Sequence, residues 1–437
     1  MTQTTCPFGH GAAGPQGAVR LPRGYDFTDP DVLLEGIPVT EFAELRKTAP
    51  VWWNEQTDSI FDDGGYWVIS RHEDIKSISR NSDLWSTNRK GVVMRLPDGT
   101  TPDQLELTKA LLINHDAPEH TRLRKLVSRL FTPRAVATLE DKLAVAAREI
   151  VSAAAEKESG NFVDDIAMCL PLLAIADLIG VPEADREKLF GWTNSIMNTD
   201  DPDFETDYAA ANAELMGYAY SMAEERRRPA QAGGPPACEG SAPSRQDDIV
   251  TRLIEADIDG ESLDDVEFAF FVILLAVAGN ETTRNAMTHG MNAFFQNPDQ
   301  WELFKRERAD TAADEIVRLA TPVHCFQRTA LADTELGGVT IREGQRAGLF
   351  YSSANYDENV FEYPFRFDIL RDPNPHLGFG GNGAQICIGA NLARMEIELI
   401  FNEIADQLPN IAKLSEPQRL RSGWINGLKR LQVSYRG

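Results

Sequence analysis

The chain has 437 residues and a formal net charge of −24, with 42% hydrophobic and 25% charged residues. These values are typical of a soluble globular protein, and they argue against nucleic acid as a partner because a polyanion would repel so acidic a chain. The longest apolar run, residues 268–278, is too short to span a bilayer, so we expect a buried helix and no transmembrane segment.

The chain contains five scattered cysteines, at Cys6, Cys169, Cys238, Cys325 and Cys387. Their odd number and the lack of a CxxC pair argue against a disulfide framework or a structural zinc site, and they favour a cytoplasmic location. Residues 1–20 lack the basic and apolar regions of a secretory signal. We therefore predict a flexible arm there, followed by a single domain over residues 21–437.

Helical and strand-like patterns predict a mainly α protein with small β-sheets. Helical periodicity is present over residues 138–157, 209–227, 262–296 and Ala390–Gln407. Strand-like alternation is present over residues 65–70, 326–331, Val339–Ile341 and 345–350. The segment 229–244 is rich in Pro, Gly, Ala and Ser, so we interpret it as a mobile loop between two helices.

The first chemically distinctive segment is a basic helix that follows Pro118. At about 100° per residue, His120 and Arg124 share one face of this helix, whereas Arg122, Lys125 and Arg129 share the opposite face. Spacing alone is compatible with an ordinary solvated helix.

Polar residues interrupt the long apolar helix in the sequence Ala278-Gly-Asn-Glu-Thr282. A glycine, an acid and a hydroxyl group in a buried helix lower its stability, which suggests a local purpose. A groove at Gly279 could hold dioxygen. Thr282 could then donate a hydrogen bond to the distal oxygen atom, and Glu281 could relay protons.

A lone cysteine, Cys387, lies in a glycine-rich loop that leads directly into the last predicted helix. Gly380, Gly381 and Gly383 would let the backbone approach a planar ligand without contact from a Cβ atom. The adjacent helix start is expected to lower the pKa of the thiol. The loop therefore favours a thiolate presented to a flat cofactor over an ordinary buried cysteine.

Together, this loop, residues 278–283 and the pair Glu315-x-x-Arg318 resemble the motifs of the cytochrome P450 monooxygenases. The resemblance implies a triangular, helix-rich single domain with haem b between the long central helix and the cysteine loop. Two positions depart from the usual pattern. Phe379 stands one residue further from the cysteine, and Gln385 stands where histidine or arginine often faces a haem propionate, so the role of Gln385 is left open.

The same resemblance implies roles for single residues. Cys387 would be the axial iron ligand, and Glu281 and Thr282 would be catalytic. The further cofactor-binding positions, several of which would hold haem propionates, are His120, Arg124, Arg328, His376, Phe379 and Gly389. His376 either binds a propionate or caps the segment that precedes the loop.

The resemblance also implies a structural role for Glu315 and Arg318. An acid–base pair at this spacing is usually an exposed salt bridge of little energetic value. In the family, the pair is buried and is joined by an arginine from the segment before the cysteine loop. Arg366 and Arg371 are both candidates for that arginine.

A narrower resemblance, to the actinobacterial steroid side-chain hydroxylases, runs through residues 24–30, 42–46, 277–285, 326–330 and 421–427. It implies hydroxylation of the terminal methyl group (C26 or C27) of cholesterol or cholest-4-en-3-one, with further oxidation to the acid left open. The implied substrate-binding positions are Val92, Val93, Leu96, Ile196, Val277, Ala278, Val323, Phe326 and Trp424. Taken singly, each is typical of a hydrophobic core.

The expected partners follow from the same family. No GxGxxG motif follows a predicted strand, so a separate ferredoxin and an NAD(P)H-dependent reductase would supply electrons, with O₂ as co-substrate. The basic face of Arg122, Lys125 and Arg129 would attract an acidic redox partner. We expect a monomer.

Two other functions remain open at this stage. One is a fatty-acid or other lipid ω-hydroxylase of the same superfamily, including a peroxide-driven member. The other is a non-catalytic haem protein that senses or carries a gas. The buried Glu281-Thr282 pair argues against this second function, because a carrier needs no proton relay.

Overall fold

The computed structural model describes residues 21, 24–57, 59–61, 63–97, 99–227 and 263–437. The predicted arm 1–20 and the predicted loop 229–244 lie outside the described residues.

Helices dominate the described part of the chain. In chain order they are α1 (Pro30–Leu34), α2 (Val39–Thr48), α3 (His72–Arg80), α4 (Pro102–Thr108), α5 (Glu119–Ser128), α6 (Pro133–Ala137), α7 (Glu140–Ala155), α8 (Cys169–Leu178), α9 (Arg186–Met197), α10 (Tyr208–Arg227), α11 (Asp265–Gln296), α12 (Pro298–Glu307), α13 (Ala312–Ala320), α14 (Tyr351–Ala354) and α15 (Ala390–Gln407). Short 3₁₀ or π turns occur at Leu112–Asn114, Arg129–Phe131, Val163–Ala167 and Glu183–Asp185.

The strands form small sheets. They are β1 (Val51–Glu55), β2 (Gly65–Ile69), β3 (Trp85–Ser86), β4 (Ser159–Asn161), β5 (Cys325–Ala330), β6 (Thr334–Leu336), β7 (Val339–Ile341), β8 (Arg346–Phe350), β9 (Ala412–Lys413), β10 (Gln418–Arg419), β11 (Leu428–Arg430) and β12 (Gln432–Ser434). The largest described sheet has the order β1-β2-β8-β5-β3, in which β2 and β8 are parallel and the other neighbours are antiparallel.

The predicted fold class is confirmed: the protein is mainly helical, with small sheets. The prediction for Ala390–Gln407 matches the observed helix α15, and the other predicted helices and strands agree with α7, α10, α11, β2, β5 and β8 to within three residues at each described end. The predicted strand Val339–Ile341 is also observed. Residue 262, the predicted first residue of the long helix, lies outside the described residues.

The long helix α11 occupies the centre of the protein. Asp264 caps its start, where the carboxylate accepts the Glu267 N–H and the Glu267 side chain accepts the Asp264 N–H. Helices α8, α10 and α13 pack against it. By length and composition α11 could cross a membrane, but most of it is buried inside the protein, as predicted for residues 268–278.

Glycine allows α11 to approach its neighbours closely. A Cβ atom at Gly290 would lie 2.8 Å from Ile316 Cγ2 on α13 and 3.0 Å from Phe401 Cζ on α15. Both distances are shorter than a normal contact, so the two helices pack directly against the backbone of α11. This packing fixes α15, and with it the loop that precedes α15, relative to the central helix.

A second buried cluster lies beneath the sheet and contains a histidine. His324 is fully buried, and its ring contacts those of Phe42 and Phe350 at centroid distances of 5.9 and 5.2 Å. Ser352 Oγ lies 2.6 Å from its Nδ1. Desolvation lowers the pKa of His324 to about 3. The histidine is therefore held neutral between two aromatic rings.

We predict that buried histidines make the fold acid-sensitive. Desolvation also lowers the pKa of His289, to about 3, beside the carbonyl of Asn426. Because the unfolded chain binds these protons near pH 6.5 and the folded chain does not, stability falls as the pH drops from about 6.5 towards 3. The slope is about 1.4 kcal/mol per pH unit for each histidine.

The measurement is urea unfolding, followed by circular dichroism, at several pH values in this window. His324→Gln should lower the slope of unfolding free energy against pH by about 1.4 kcal/mol per pH unit, the contribution of one proton. An unchanged slope would contradict the assignment of His324 as a neutral buried group.

Candidate active site

The loop before α15 holds Cys387 through the backbone. The Cys387 N–H donates to the carbonyl of Phe379 at 2.9 Å, which closes the loop on itself. The Arg394 guanidinium lies over the Phe379 ring at 4.5 Å and donates to Asp314 Oδ1 at 2.8 Å. Phe379 therefore connects the cysteine to both α15 and α13.

Two glycines of this loop have a packing role that the sequence interpretation did not include. A Cβ atom at Gly381 would lie 2.1 Å from Ser79 Oγ, and one at Gly383 would lie 1.6 Å from the Ser79 carbonyl oxygen. Glycine is needed at both positions because the loop lies directly against the end of α3. Gly380 has φ +101°, a conformation that favours glycine.

The Cys387 thiol is subject to opposing influences on its pKa. Its side chain keeps accessible surface, yet desolvation by the surrounding protein raises the pKa of the thiol. The Gly389 N–H, Arg124 and Arg394 act in the opposite direction and only partly offset the rise. The predicted lowering by the helix start is thus present but outweighed. A Cβ atom at Gly389 would meet no described atom within 4 Å, so the backbone is open on this side.

One face of α11 is accessible in the middle of the buried helix. Ala278 is exposed and Thr282 is half-buried, whereas the neighbouring Asn280 and Thr283 are buried. The Thr282 hydroxyl donates to the Ala278 carbonyl at 2.8 Å. Residues four apart share a helix face, so Ala278 and Thr282 present one small surface to a common space.

The dioxygen groove expected at Gly279 stays a prediction, and the Cβ side of this glycine faces helix α8. A Cβ atom there would lie 2.3 Å from Ile175 Cδ1 on α8. Gly279 therefore allows α8 and α11 to pack closely, and the accessible positions are its neighbours Ala278 and Thr282.

Glu281 is buried beside this surface and is held by its own helix. It forms an ion pair with Arg284, and its Oε1 accepts a hydrogen bond from Asn285 Nδ2 at 2.9 Å. Its Oε2 is buried and has no hydrogen-bond partner among the described residues. The predicted relay acid is therefore present as a paired carboxylate with one oxygen available.

The predicted propionate-binding residues His120, Arg124 and Arg328 lie close together, so that two guanidinium groups flank a histidine that is neutral near pH 7. Desolvation first, and then Arg124, lower the pKa of His120 to about 4, and Arg328 acts in the same direction. His120 Nε2 is buried and unpartnered within the described part of the chain. Arg328 is also buried, and Arg124 donates to the Ile386 carbonyl at 2.6 Å. Such a cluster fits a ligand that supplies carboxylates, as haem does.

Gln385 faces the same region. A small cavity is lined by polar residues that include Thr87, His115, Asp116, His120, Arg328 and Gln385. The Gln385 amide donates to the His115 carbonyl at 3.0 Å. Its side chain therefore ties the cysteine loop to the segment before α5.

The pair Glu315 and Arg318 is fully buried. Its contacts show which of Arg366 and Arg371 joins it. Arg318 donates to both carboxylate oxygens of Glu315, at 2.7 and 2.8 Å. Arg371 Nε donates to Glu315 Oε2 at 3.0 Å, whereas Arg366 contributes only its carbonyl, to Arg318 and Arg371. Arg371 is thus the third member, and the exposed Arg366 side chain lies 3.9 Å from Asp368.

His376 is engaged away from the cationic cluster. Its Nε2 lies 2.9 Å from Asp314 Oδ1, and its Nδ1 accepts the Gly378 N–H at 3.1 Å. Both ring nitrogens are therefore used, which favours the alternative in which His376 anchors the segment before the loop over propionate binding.

Most of the predicted substrate positions lie close together, next to Val277 of α11. Ile196, Val277, Val323 and Trp424 pack around the buried side chains of Met197, Leu420 and Ile425. Phe326 stacks on Trp424 with ring centroids 6.0 Å apart, and Ala278 follows Val277 on the accessible face. The remaining three, Val92, Val93 and Leu96, lie on a loop beside β5, where Gln327 N–H donates to the Val92 carbonyl at 2.8 Å.

Sequence reasoning assigned no role to Arg284, Asp314 or Arg394. Arg284 follows Glu281 at the same i,i+3 spacing as the Glu315–Arg318 pair, so that spacing was an available signal. Asp314 binds both His376 and Arg394, residues that are 62 and 80 positions away along the chain. A contact over such a separation leaves no local pattern.

Comparison with known proteins decides the family. The cytochrome P450 family model matches residues 309–406. A steroid C26-monooxygenase of Rhodococcus jostii is 58% identical over 95% of this chain and 86% of its own length. The chain belongs to the cytochrome P450 family. A steroid C26-monooxygenase of Mycobacterium tuberculosis is 55% identical over 95% of this P450 and 94% of its own length.

Solved structures agree with the fold of this P450. A cytochrome P450 of Mycobacterium marinum, solved with pseudoionone, has a TM-score of 0.84 at 34% identity and covers 95% of this chain and 100% of its own. A cytochrome P450 of Bacillus megaterium, solved with testosterone, has a TM-score of 0.76 at 29% identity, with 92% and 99% covered.

This P450 is therefore a monooxygenase that uses haem with a cysteine thiolate ligand, and it requires O₂ and a redox partner. Cys387 is the cysteine in the position to ligate the iron. The roles of Glu281, Thr282, His120, Arg124 and Arg328 stay predictions.

We predict that Arg371, and not Arg366, supports the cofactor loop. Arg371→Ala removes a hydrogen bond to a fully buried carboxylate and should lower stability by about 1.5–3 kcal/mol, with a lower haem content. Arg366→Ala, the matched control, removes an exposed side chain and should change little. Melting temperature and the ratio of Soret to protein absorbance measure both. Equal losses in the two variants would contradict the network.

Proposed function

We propose that this P450 hydroxylates the terminal methyl group (C26 or C27) of a sterol side chain, such as that of cholest-4-en-3-one or cholesterol. The observation that carries the proposal is similarity along 95% of the chain, at 53–58% identity, to relatives named steroid C26-monooxygenase. A second support is an apolar cluster, which we define as Ile196, Met197, Phe204, Val277, Val323, Leu420, Trp424 and Ile425. Burial of a sterol side chain against such a cluster contributes about 0.8 kcal/mol of binding free energy per CH₂.

Haem bound through Cys387 would supply the iron at which dioxygen is activated. The protein would then contribute position and protons. Ala278 and Thr282 form an accessible surface of α11 and Val277 of the apolar cluster precedes it in the chain, so the Thr282 hydroxyl would donate a hydrogen bond to a small ligand held at this surface. Glu281 would deliver protons from the buried side of α11 once it leaves Arg284. The stacked rings of Phe326 and Trp424 would form one wall against which the end of the side chain packs.

A ferredoxin, reduced by an NAD(P)H-dependent reductase, would supply the electrons. The exposed basic residues Lys125 on α5 and Arg129, which directly follows α5, support a docking face for an acidic partner. Arg122, expected to share this face, instead forms ion pairs with Glu119 and Glu267. We also propose that residues 21–437 act as one monomeric, cytoplasmic domain.

A second candidate is ω-hydroxylation of a methyl-branched lipid. A methyl-branched lipid omega-hydroxylase of Mycobacterium tuberculosis is 39% identical over 90% of this chain. The lower identity makes it the weaker candidate.

The substrate test uses the haem-loaded protein with ferredoxin, reductase and NADH. With cholest-4-en-3-one we expect a Soret shift on binding and product hydroxylated at the terminal methyl, identified by mass spectrometry. A branched fatty acid and a peroxide-driven reaction are the comparisons. Product from the fatty acid alone, or oxidation only at internal side-chain carbons, would contradict the sterol proposal.

We predict that Thr282 and Glu281 control the use of dioxygen. Thr282→Ala should lower product formed per NADH consumed, and Glu281→Gln should lower the hydroxylation rate by about 10²-fold. Thr283→Ala is the matched control because that hydroxyl is buried on another side of the helix. If Thr282→Ala and Thr283→Ala behave alike, the protons follow another route.

A further inference from the structure

The loop after α9 contains a buried carboxylate held by a precise set of donors. Asp201 has 1% of its surface exposed. Its carboxylate accepts the Asp203 N–H at 3.0 Å, the Arg421 N–H at 2.9 Å, and the Lys429 ammonium at 2.9 Å to each oxygen. These donors hold the carboxylate ionised and keep its pKa low.

Two of these donors come from the far end of the chain. Lys429 lies on β11, and its ammonium also contacts Asp203 at 2.8 Å. The Arg421 side chain donates to the Asp200 carbonyl at 2.8 Å and to Asp31 at 2.5 Å. We call Asp201, Arg421 and Lys429 the Asp201 clasp, because together they fasten the loop after α9 to the segment that ends in β11.

The clasp lies between the residues that form the apolar cluster. In the first segment, Ile196 and Met197 end α9, and Phe204 follows Asp201. In the second segment, Leu420 precedes Arg421, and Trp424 and Ile425 lie between Arg421 and Lys429 in the chain. All six belong to the same cluster, which also contains Val277 of α11. The position of the α9 end against Trp424 therefore depends on the charges that join the two segments.

We propose that the Asp201 clasp sets the width of the substrate site, and so determines which carbon of the side chain is oxidised. The inference rests on the proposed sterol function and deepens it. With the clasp intact, Ile196 and Phe204 stay against Trp424, and the site admits the narrow end of the side chain. Loss of Lys429 leaves the Asp201 carboxylate buried without its cation, a costly state that the loop relieves by moving into water.

A moved loop would draw Ile196 and Phe204 away from the cluster. The site would widen beside Trp424, and the sterol side chain would bind in several positions. Internal carbons, whose C–H bonds are chemically easier to oxidise, would then compete with the terminal methyl. Asp201, Arg421 and Lys429 are positioning residues in this scheme, since their contacts are with the protein.

The test compares Lys429→Met with the wild-type holoenzyme in the reconstituted reaction with cholest-4-en-3-one. We expect several-fold weaker sterol binding by Soret titration and a several-fold larger share of internally hydroxylated product. Lys429→Arg should restore both. Lys413→Met is the matched control, because Lys413 of β9 pairs with the exposed Glu416 at 2.7 Å. A purely structural role would lower stability without moving the product ratio.

A second variant keeps the test decisive if Lys429→Met folds poorly. Arg421→Gln removes a half-exposed side chain and its bond to Asp200, and it should shift the product ratio in the same direction. Wild-type product ratios and affinities in either folded variant would overturn the role of the clasp alone. A wild-type protein that neither binds nor oxidises the sterol would overturn the proposed function, and the clasp inference with it.

Discussion

The cysteine loop depends on one fully buried carboxylate, that of Glu315. The loop has little regular secondary structure of its own, so its position has to come from neighbouring elements. Glu315 receives Arg318 from its own helix and Arg371 from the segment before the loop, and it also accepts the Asp368 N–H at 2.9 Å. Arg318 in turn binds the carbonyls of Asn355 and Pro364. A buried charge is tolerated only when it is fully paired, so these segments are ordered together.

The same principle recurs wherever this protein positions functional side chains. Glu281 is buried with Arg284 on the central helix, and Asp201 is buried with Lys429 at the edge of the apolar cluster. Each pair connects or stiffens backbone beside the site instead of facing water. Between them, small side chains allow close packing: Gly279 admits Ile175, and Gly383 admits the backbone of Ser79. Paired charges thus fix the position of the segments beside the site, and glycines allow the short distances between their backbones.

The local patterns predicted the helices well and placed the site motifs on the right elements. Helix α15 has its predicted bounds, and the central helix, the cysteine loop and the cationic cluster around His120 are where the motifs placed them. The packing contacts of single glycines were not predicted. Gly279, Gly381 and Gly383 were interpreted as positions beside a ligand, and in the structure their missing Cβ atoms make room for neighbouring protein. Close packing and ligand approach both require glycine, so the sequence does not distinguish them.

The sequence by itself determined the haem-thiolate cofactor and the mainly helical fold, and it singled out Cys387 and the Glu281-Thr282 pair as candidates, since each depends on residues close together in the chain. Only the tertiary structure selected Arg371 over Arg366, turned His376 towards Asp314 and joined Asp201 to Lys429. These contacts join residues 56, 62 and 228 positions apart. Folding decides which charged side chain lies next to a buried partner. The spacing of residues close together in the chain does not predict such a contact.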